Sequence, residues 1–205
     1  MEQQQVSRTI VKKIQTLAEI AAELRQGKSF KVTRLTLLKN LCNRPEDAAK
    51  FAVHLAKRTL KRMQEQKCPS HITSDNWEHY LKLAAMATRV MTKRVKQAIA
   101  EEPLPLDALR TEIRNAQSQY ERQPWKSVRI IHSWELLIVE TALECVLRPS
   151  VSQVLAYDLA RQYCERYDAR YGSGLIPESA PLVEDIAEFW GRHFLGRGWR
   201  KWLKK

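Results

Sequence analysis

Along most of the chain apolar residues recur at three- and four-residue steps, the spacing that lines one side of an α-helix. From Val6 to Gln26, Ile10, Ile14, Leu17, Ala21 and Leu24 define such a face, and Gly27 supplies a stop. A short helix is predicted over Thr33–Cys42 and a longer one from Pro45 to about Gln66. There Pro45 suits the first turn, and Glu46 and Asp47 complement the positive end of the helix. After a loop at Cys68-Pro69-Ser70-His71, a long helix runs to Ala100 with Ser74 or Asp75 as its N-cap. Pro103 and Pro105 then break the pattern, which makes 101–106 the candidate subdomain boundary.

Further helices are predicted from about Leu106 to Arg122, Lys126 to Leu147, Ser152 to Tyr171 and Ala180 to Leu195, with Gly172 and Gly174 closing the third of them. Neither a repeat nor a sustained alternating pattern is present. The expected fold is therefore all-α, a multi-helix bundle of about seven to eight helices. Residues 1–195 are read as a single helical domain and 196–205 as a basic, Trp-containing tail. The segment with Ile130, Ile131, Leu136, Leu137, Ile138, Val139, Leu143 and Val146 is apolar on most of its circumference and is predicted to be the central, most buried helix. Glu140 and Glu144, one turn apart, are read as polar exits from that helix or as partners of Arg148 and nearby bases. Tyr157, Tyr163, Tyr167 and Tyr171 form a stripe on the next helix. Interleaved Asp158, Glu165 and Asp168 would repel phosphates, so these rings are expected to pack rather than to stack on bases.

Charge adds the most to this picture. The 205 residues carry 35 Lys and Arg against 23 Asp and Glu, a net charge of +12. Residues 1–100 hold 20 bases and 8 acids, the remainder 15 of each, so the excess lies in the first half. An anionic partner is the first expectation. At 100° per residue, Lys50, His54, Lys57, Arg58, Lys61 and Arg62 fall on one arc of their helix, opposite Ala49, Ala52, Val53, Ala56, Leu60 and Met63. On the following helix Lys82, Arg89, Lys93 and Lys96 align opposite Trp77, Leu81, Ala84, Met91 and Val95. Side by side, these stripes would present cations at turn spacing, which suits a phosphate backbone. A helix-turn-helix over Thr33–Met63 is disfavoured, because the recognition helix would begin with Glu46 and Asp47 where DNA is contacted.

The C-terminus, with Trp199, Arg200, Lys201, Trp202, Leu203, Lys204 and Lys205, has the chemistry of a small interfacial anchor. Docking of both indoles back onto the protein is its structural alternative. Cys42, Cys68, Cys145 and Cys164 are scattered, which fits reduced thiols in a cytoplasmic protein. Cys68, His71 and His79, with His54 and His132 as distant candidates, fall short of a zinc pattern, and no metal or cofactor is expected. There is no Gly-x-Ser-x-Gly, phosphate-binding Gly loop or dinucleotide fingerprint, and no catalytic residue or small-molecule substrate is assigned. These features point to a non-enzymatic binding or adaptor protein docking nucleic acid through Lys50, Lys57, Arg58, Lys61, Arg62, Lys82, Arg89, Lys93 and Lys96. The second reading is a peripheral membrane or protein-assembly factor, held by the tail on an anionic surface or an acidic protein.

Overall fold

The computed structural model describes residues 8–28, 30–70, 72–96, 106–118, 133–165, 174–175 and 180–204. It is an all-α multi-helix protein whose helices are α1 (Arg8–Arg25), α2 (Leu38–Leu41), α3 (Pro45–Glu65), α4 (Ser74–Lys96), α5 (Leu106–Ser118), α6 (Trp134–Leu147), α7 (Ser152–Glu165) and α8 (Ala180–Leu195). Short 3-10 turns at Val32–Leu37, Pro149–Val151 and Trp199–Lys204 complete the helical content of the described residues. Contacts group the chain into two compact units, one made of Met1–Asn43 with Ala160–Lys205, the other of Arg44–Leu159. The chain passes from one to the other after Asn43 and again inside α7. The break expected at 101–106 lies outside the described residues except for Leu106.

In the first unit α1 packs on α8. The α1 side chains Ile14, Leu17, Ile20, Ala21 and Leu24 are buried, as are Leu182, Val183, Ile186, Ala187 and Trp190 of α8. Burying such a side chain contributes about 1.5–3 kcal/mol, so this pair of apolar stripes dominates the unit. Gly27, at φ +77°, ends α1 as expected, donating to the Leu24 carbonyl while Lys28 donates to that of Glu23. Phe30 and Lys31 then pair antiparallel with Leu175 and Gly174, a two-residue ladder that the helical pattern does not foreshadow. The predicted helix over Thr33–Cys42 is instead a 3-10 turn followed by the single α-turn of α2. From the end of α7, Tyr163 is buried, in line with the packing expected of this ring, and its hydroxyl donates to Asp185 Oδ2 at 2.9 Å. Tyr167 and Tyr171 lie outside the described residues.

The second unit is a ring of four helices in which α3 packs on α4, α4 on α5, α5 on α6 and α6 back on α3. The Gln66–Thr73 connection contains a turn closed by Ile72 N–H to the Pro69 carbonyl at 3.0 Å. It is too short to span the ~31 Å of a helix the length of α3, so α3 and α4 run antiparallel. The N-cap of α4 is Thr73, not Ser74 or Asp75: its Oγ1 accepts from Asn76 N–H at 3.3 Å.

As expected from its apolar circumference, α6 is the buried centre, with nine of its 14 residues inaccessible and α3, α4 and α5 all packed against it. It begins at Trp134 rather than at Lys126. Ser133 is extended (φ −144°, ψ 116°), and its Oγ accepts from Leu136 N–H at 3.2 Å. A Ser side chain competes well for that cap; residues 126–132, which the pattern places in the same helix, lie outside the described residues.

Candidate nucleic-acid interface

The outward side of α3 follows from what the opposite side must cover. Packing on both α4 and α6 buries Ala48, Phe51, Ala52, Leu55, Ala56, Thr59 and Met63, an arc wider than the sequence pattern suggested and turned toward Phe51 and Leu55. Leu60 and Ala49, expected on the apolar face, are only half-buried. Lys50, Lys57 and Lys61 remain on the exposed side, spread over about 17 Å of helix at 1.5 Å per residue. Arg58 and Arg62 are displaced toward the buried arc: both are half-buried, and both already interact within the structure. They are flanking residues rather than part of the open stripe.

On α4 the buried side holds Trp77, Tyr80, Leu83, Ala84, Ala87, Thr88 and Met91, while Leu81 and Val95 are half-buried. Lys82, Arg89, Lys93 and Lys96 are all exposed, along about 21 Å. Because α4 is antiparallel to its neighbour, its dense cationic end lies beside the start of α3, where Lys50 stands. The last turns of α3, with Lys57 and Lys61, lie beside the start of α4. Positive charge is thus distributed along both helices instead of gathering at one end. Asp75 and Glu78 are exposed in the first turns of α4 and temper that end of the face.

Among the described residues the side chains of Lys50, Lys57, Lys82, Arg89, Lys93 and Lys96 make no ion pair or hydrogen bond. Lys61 makes one loose i,i+4 pair with Glu65 at 3.6 Å, both side chains being more than 60% exposed. Such a pair contributes at most a few tenths of a kcal/mol.

The acids of the same unit are placed differently. Arg114 of α5 donates from Nε to Glu140 Oε1 and from Nη2 to Glu144 Oε1, both at 2.6 Å. Arg110 reaches Glu144 at 3.4 Å, and Arg148 lies 3.9 Å from its other oxygen. Hydrogen bonding to Glu140, and then the charges of Glu140 and Glu144, hold the Arg114 guanidinium above its ordinary pKa, against the opposing cost of its partial burial. Pairing of this acid pair with nearby bases was expected from the sequence. That the main partners come from α5 was not, because nothing in the order of residues reveals which helix lies alongside. Glu135, also buried, accepts from Gln66 Nε2 and Ser133 Oγ, each at 3.2 Å. Asp47 is buried at the start of α3 and is gripped by Arg44 through two bonds of 2.9 and 3.0 Å.

The tail divides the two indoles. Trp199 is buried, 5% exposed, with its ring on the α-carbon of Gly191, and the Arg200 guanidinium lies 5.6 Å from the ring centroid. Trp202 is 47% exposed, and Lys201 is exposed beside it. Trp199 is therefore a docking residue of the fold and not part of a presented surface. The side chains of Lys204 and Lys205 lie outside the described set.

No group of three His, Cys, Asp or Glu side chains converges among the described residues. His71 and His132 are outside them. Among the described residues no helix is long and apolar enough to cross a membrane. No protein-family model, curated protein or solved structure matches the chain.

Proposed function

We propose that the chain is a non-enzymatic binding protein that docks a nucleic-acid backbone on the outward sides of α3 and α4. The observation that carries this reading is the row of exposed cations Lys50, Lys57, Lys82, Arg89, Lys93 and Lys96, none of which is paired with a carboxylate among the described residues. Its buried acids are instead committed to Arg44, Arg110, Arg114, Gln66 and Ser133. Cations at turn spacing on adjacent helices match a polyanion with closely spaced charges, and each phosphate neutralised releases a condensed counterion.

The same face is poorly suited to a protein partner. Stable protein interfaces centre on buried aromatic or aliphatic anchors and are depleted in Lys. Here Phe51, Trp77 and Tyr80 are all turned inward, which leaves Met86 as the large exposed apolar side chain of these two helices. Lacking an exposed Phe, Tyr or Trp to stack and lacking a recognition-helix geometry, the face engages phosphates and not base edges, so affinity is insensitive to sequence. Catalysis is not proposed: the buried carboxylates are paired as above, and Cys145 Sγ lies within 3.7 Å of the Ala48 carbonyl and 3.5 Å of the Ser152 carbonyl.

The test is a fluorescence anisotropy titration of labelled nucleic acids of different sequence with the intact protein and with K82A/R89A. Comparable binding of the different sequences and a loss of about tenfold or more in the variant support the reading. Equal binding by the variant, or none by the intact protein, contradicts it.

A further inference from the structure

A second surface, independent of α3 and α4, is carried by the chain's last turn. After Glu188 the sequence contains no acid, while Arg192, Arg197, Arg200, Lys201, Lys204 and Lys205 follow. The end of α8 is sealed by Gly196 at φ +77°, and the Trp199–Lys204 3-10 turn is then pinned at three points. Trp199 is seated over Gly191, Arg200 lies 3.7 Å from Glu188, and Gln15 Nε2 of α1 donates to the Trp202 carbonyl at 3.1 Å. What these constraints hold in place is an indole that the fold leaves 47% exposed. Trp202 is one of three large apolar side chains exposed among the described residues, and Arg197, Arg200 and Lys201, exposed as well, precede it closely in sequence. On α1, the element that Gln15 joins to the turn, Arg8 and Lys12 are also exposed.

We infer that this turn is a preformed contact for an anionic bilayer surface, with Trp202 entering the headgroup boundary and Arg197 and Lys201 facing the lipid charges. An indole has an apolar body and a polar N–H and favours that boundary. Nearby cations add an attraction that exists only when the leaflet is negative. Preorganisation matters because a single aromatic residue on a mobile tail loses much of its gain to ordering. Here the packing of Trp199 has already fixed the turn. The contact is peripheral and reversible, since one indole and a few cations fall far short of a spanning segment.

The experiment is co-sedimentation of the full chain with vesicles of phosphatidylcholine alone and of phosphatidylcholine with phosphatidylglycerol, at low and moderate salt, for the intact protein, W202A and R197A/K201A. Circular dichroism and thermal melts establish that the variants are folded, which the exposure of all three side chains favours. Expected is binding to the anionic vesicles alone, weakened about fivefold per cation removed and again by W202A, and weaker at moderate than at low salt. Binding to both vesicle types alike, or unchanged binding by both variants, overturns the inference. So does a Trp202-dependent fluorescence response to a single-stranded oligonucleotide with none to anionic vesicles, which would make the turn a base-stacking element. None of these outcomes bears on the face of α3 and α4.

Discussion

The indole of Trp199 occupies the space in which any residue other than glycine at position 191 would place its Cβ. Gly191 sits within α8, where glycine is otherwise a liability of about 1 kcal/mol relative to alanine. G191A therefore carries an unusual sign. Instead of the stabilisation expected for Gly→Ala in a helix, it is expected to lower stability by about 1–3 kcal/mol through overpacking. Chemical denaturation with a tryptophan emission readout measures it, and a rise in midpoint would show that Trp199 does not depend on that close approach.

The pairing of α5 with α6 rests on charge as well as on apolar contact. Glu144 is buried and shared among Arg110, Arg114 and Arg148, so E144A leaves guanidiniums without their central acceptor. Breaking a fully buried pair costs about 3–5 kcal/mol, and the half-exposed Arg114 reduces this to about 1–3 kcal/mol. Urea denaturation of E144A against E140A checks it. The smaller loss belongs to E140A, whose carboxylate makes one described pair and is the more exposed.

Thiol chemistry gives a graded outcome. Cys42, Cys145 and Cys164 are buried, whereas Cys68 is half-buried in the connection between α3 and α4. Burial pushes the Cys145 thiol from its ordinary 9.0 up to about 12. With the folded-state value raised, the protonated thiol's contribution is fully present below pH about 9. It is lost progressively as pH rises toward about 12, at up to about 1.4 kcal/mol per pH unit. A native-state reaction with a thiol reagent is expected to label Cys68 first and Cys145 only on unfolding. The loss of stability between pH 9 and 11 should be shallower in C145A. Fast labelling of Cys145 in the folded protein would contradict this packing.

Much of this architecture could be read from residue order, and the failures have physical causes. The faces of α1 and α8 and the centrality of α6 follow from apolar spacing, because each packs through a stripe that periodicity describes. The start of α6 at Trp134 is set by the extended backbone and side-chain cap of Ser133, which apolar spacing does not register. Helical spacing puts Arg58 and Arg62 on the open stripe because projection onto a wheel does not reveal that α3 has two neighbours, α4 and α6, which widens its buried arc. The fate of the tail indoles was equally hidden. Seating Trp199 required Gly191 to lie opposite it, a relation between positions that only the fold creates.

The face of α3 and α4 is the centre of the functional reading, and counterion release tests it most directly. The equilibrium constant for a labelled nucleic acid is measured from low to moderate salt with the intact protein and with K57A/K61A/K93A/K96A. The expected log-log slope is steeply negative for the intact protein and becomes shallower by about 0.9 for each phosphate contact removed. Parallel lines for the two proteins would mean that these lysines touch no phosphate, and the proposed interface would then be wrong.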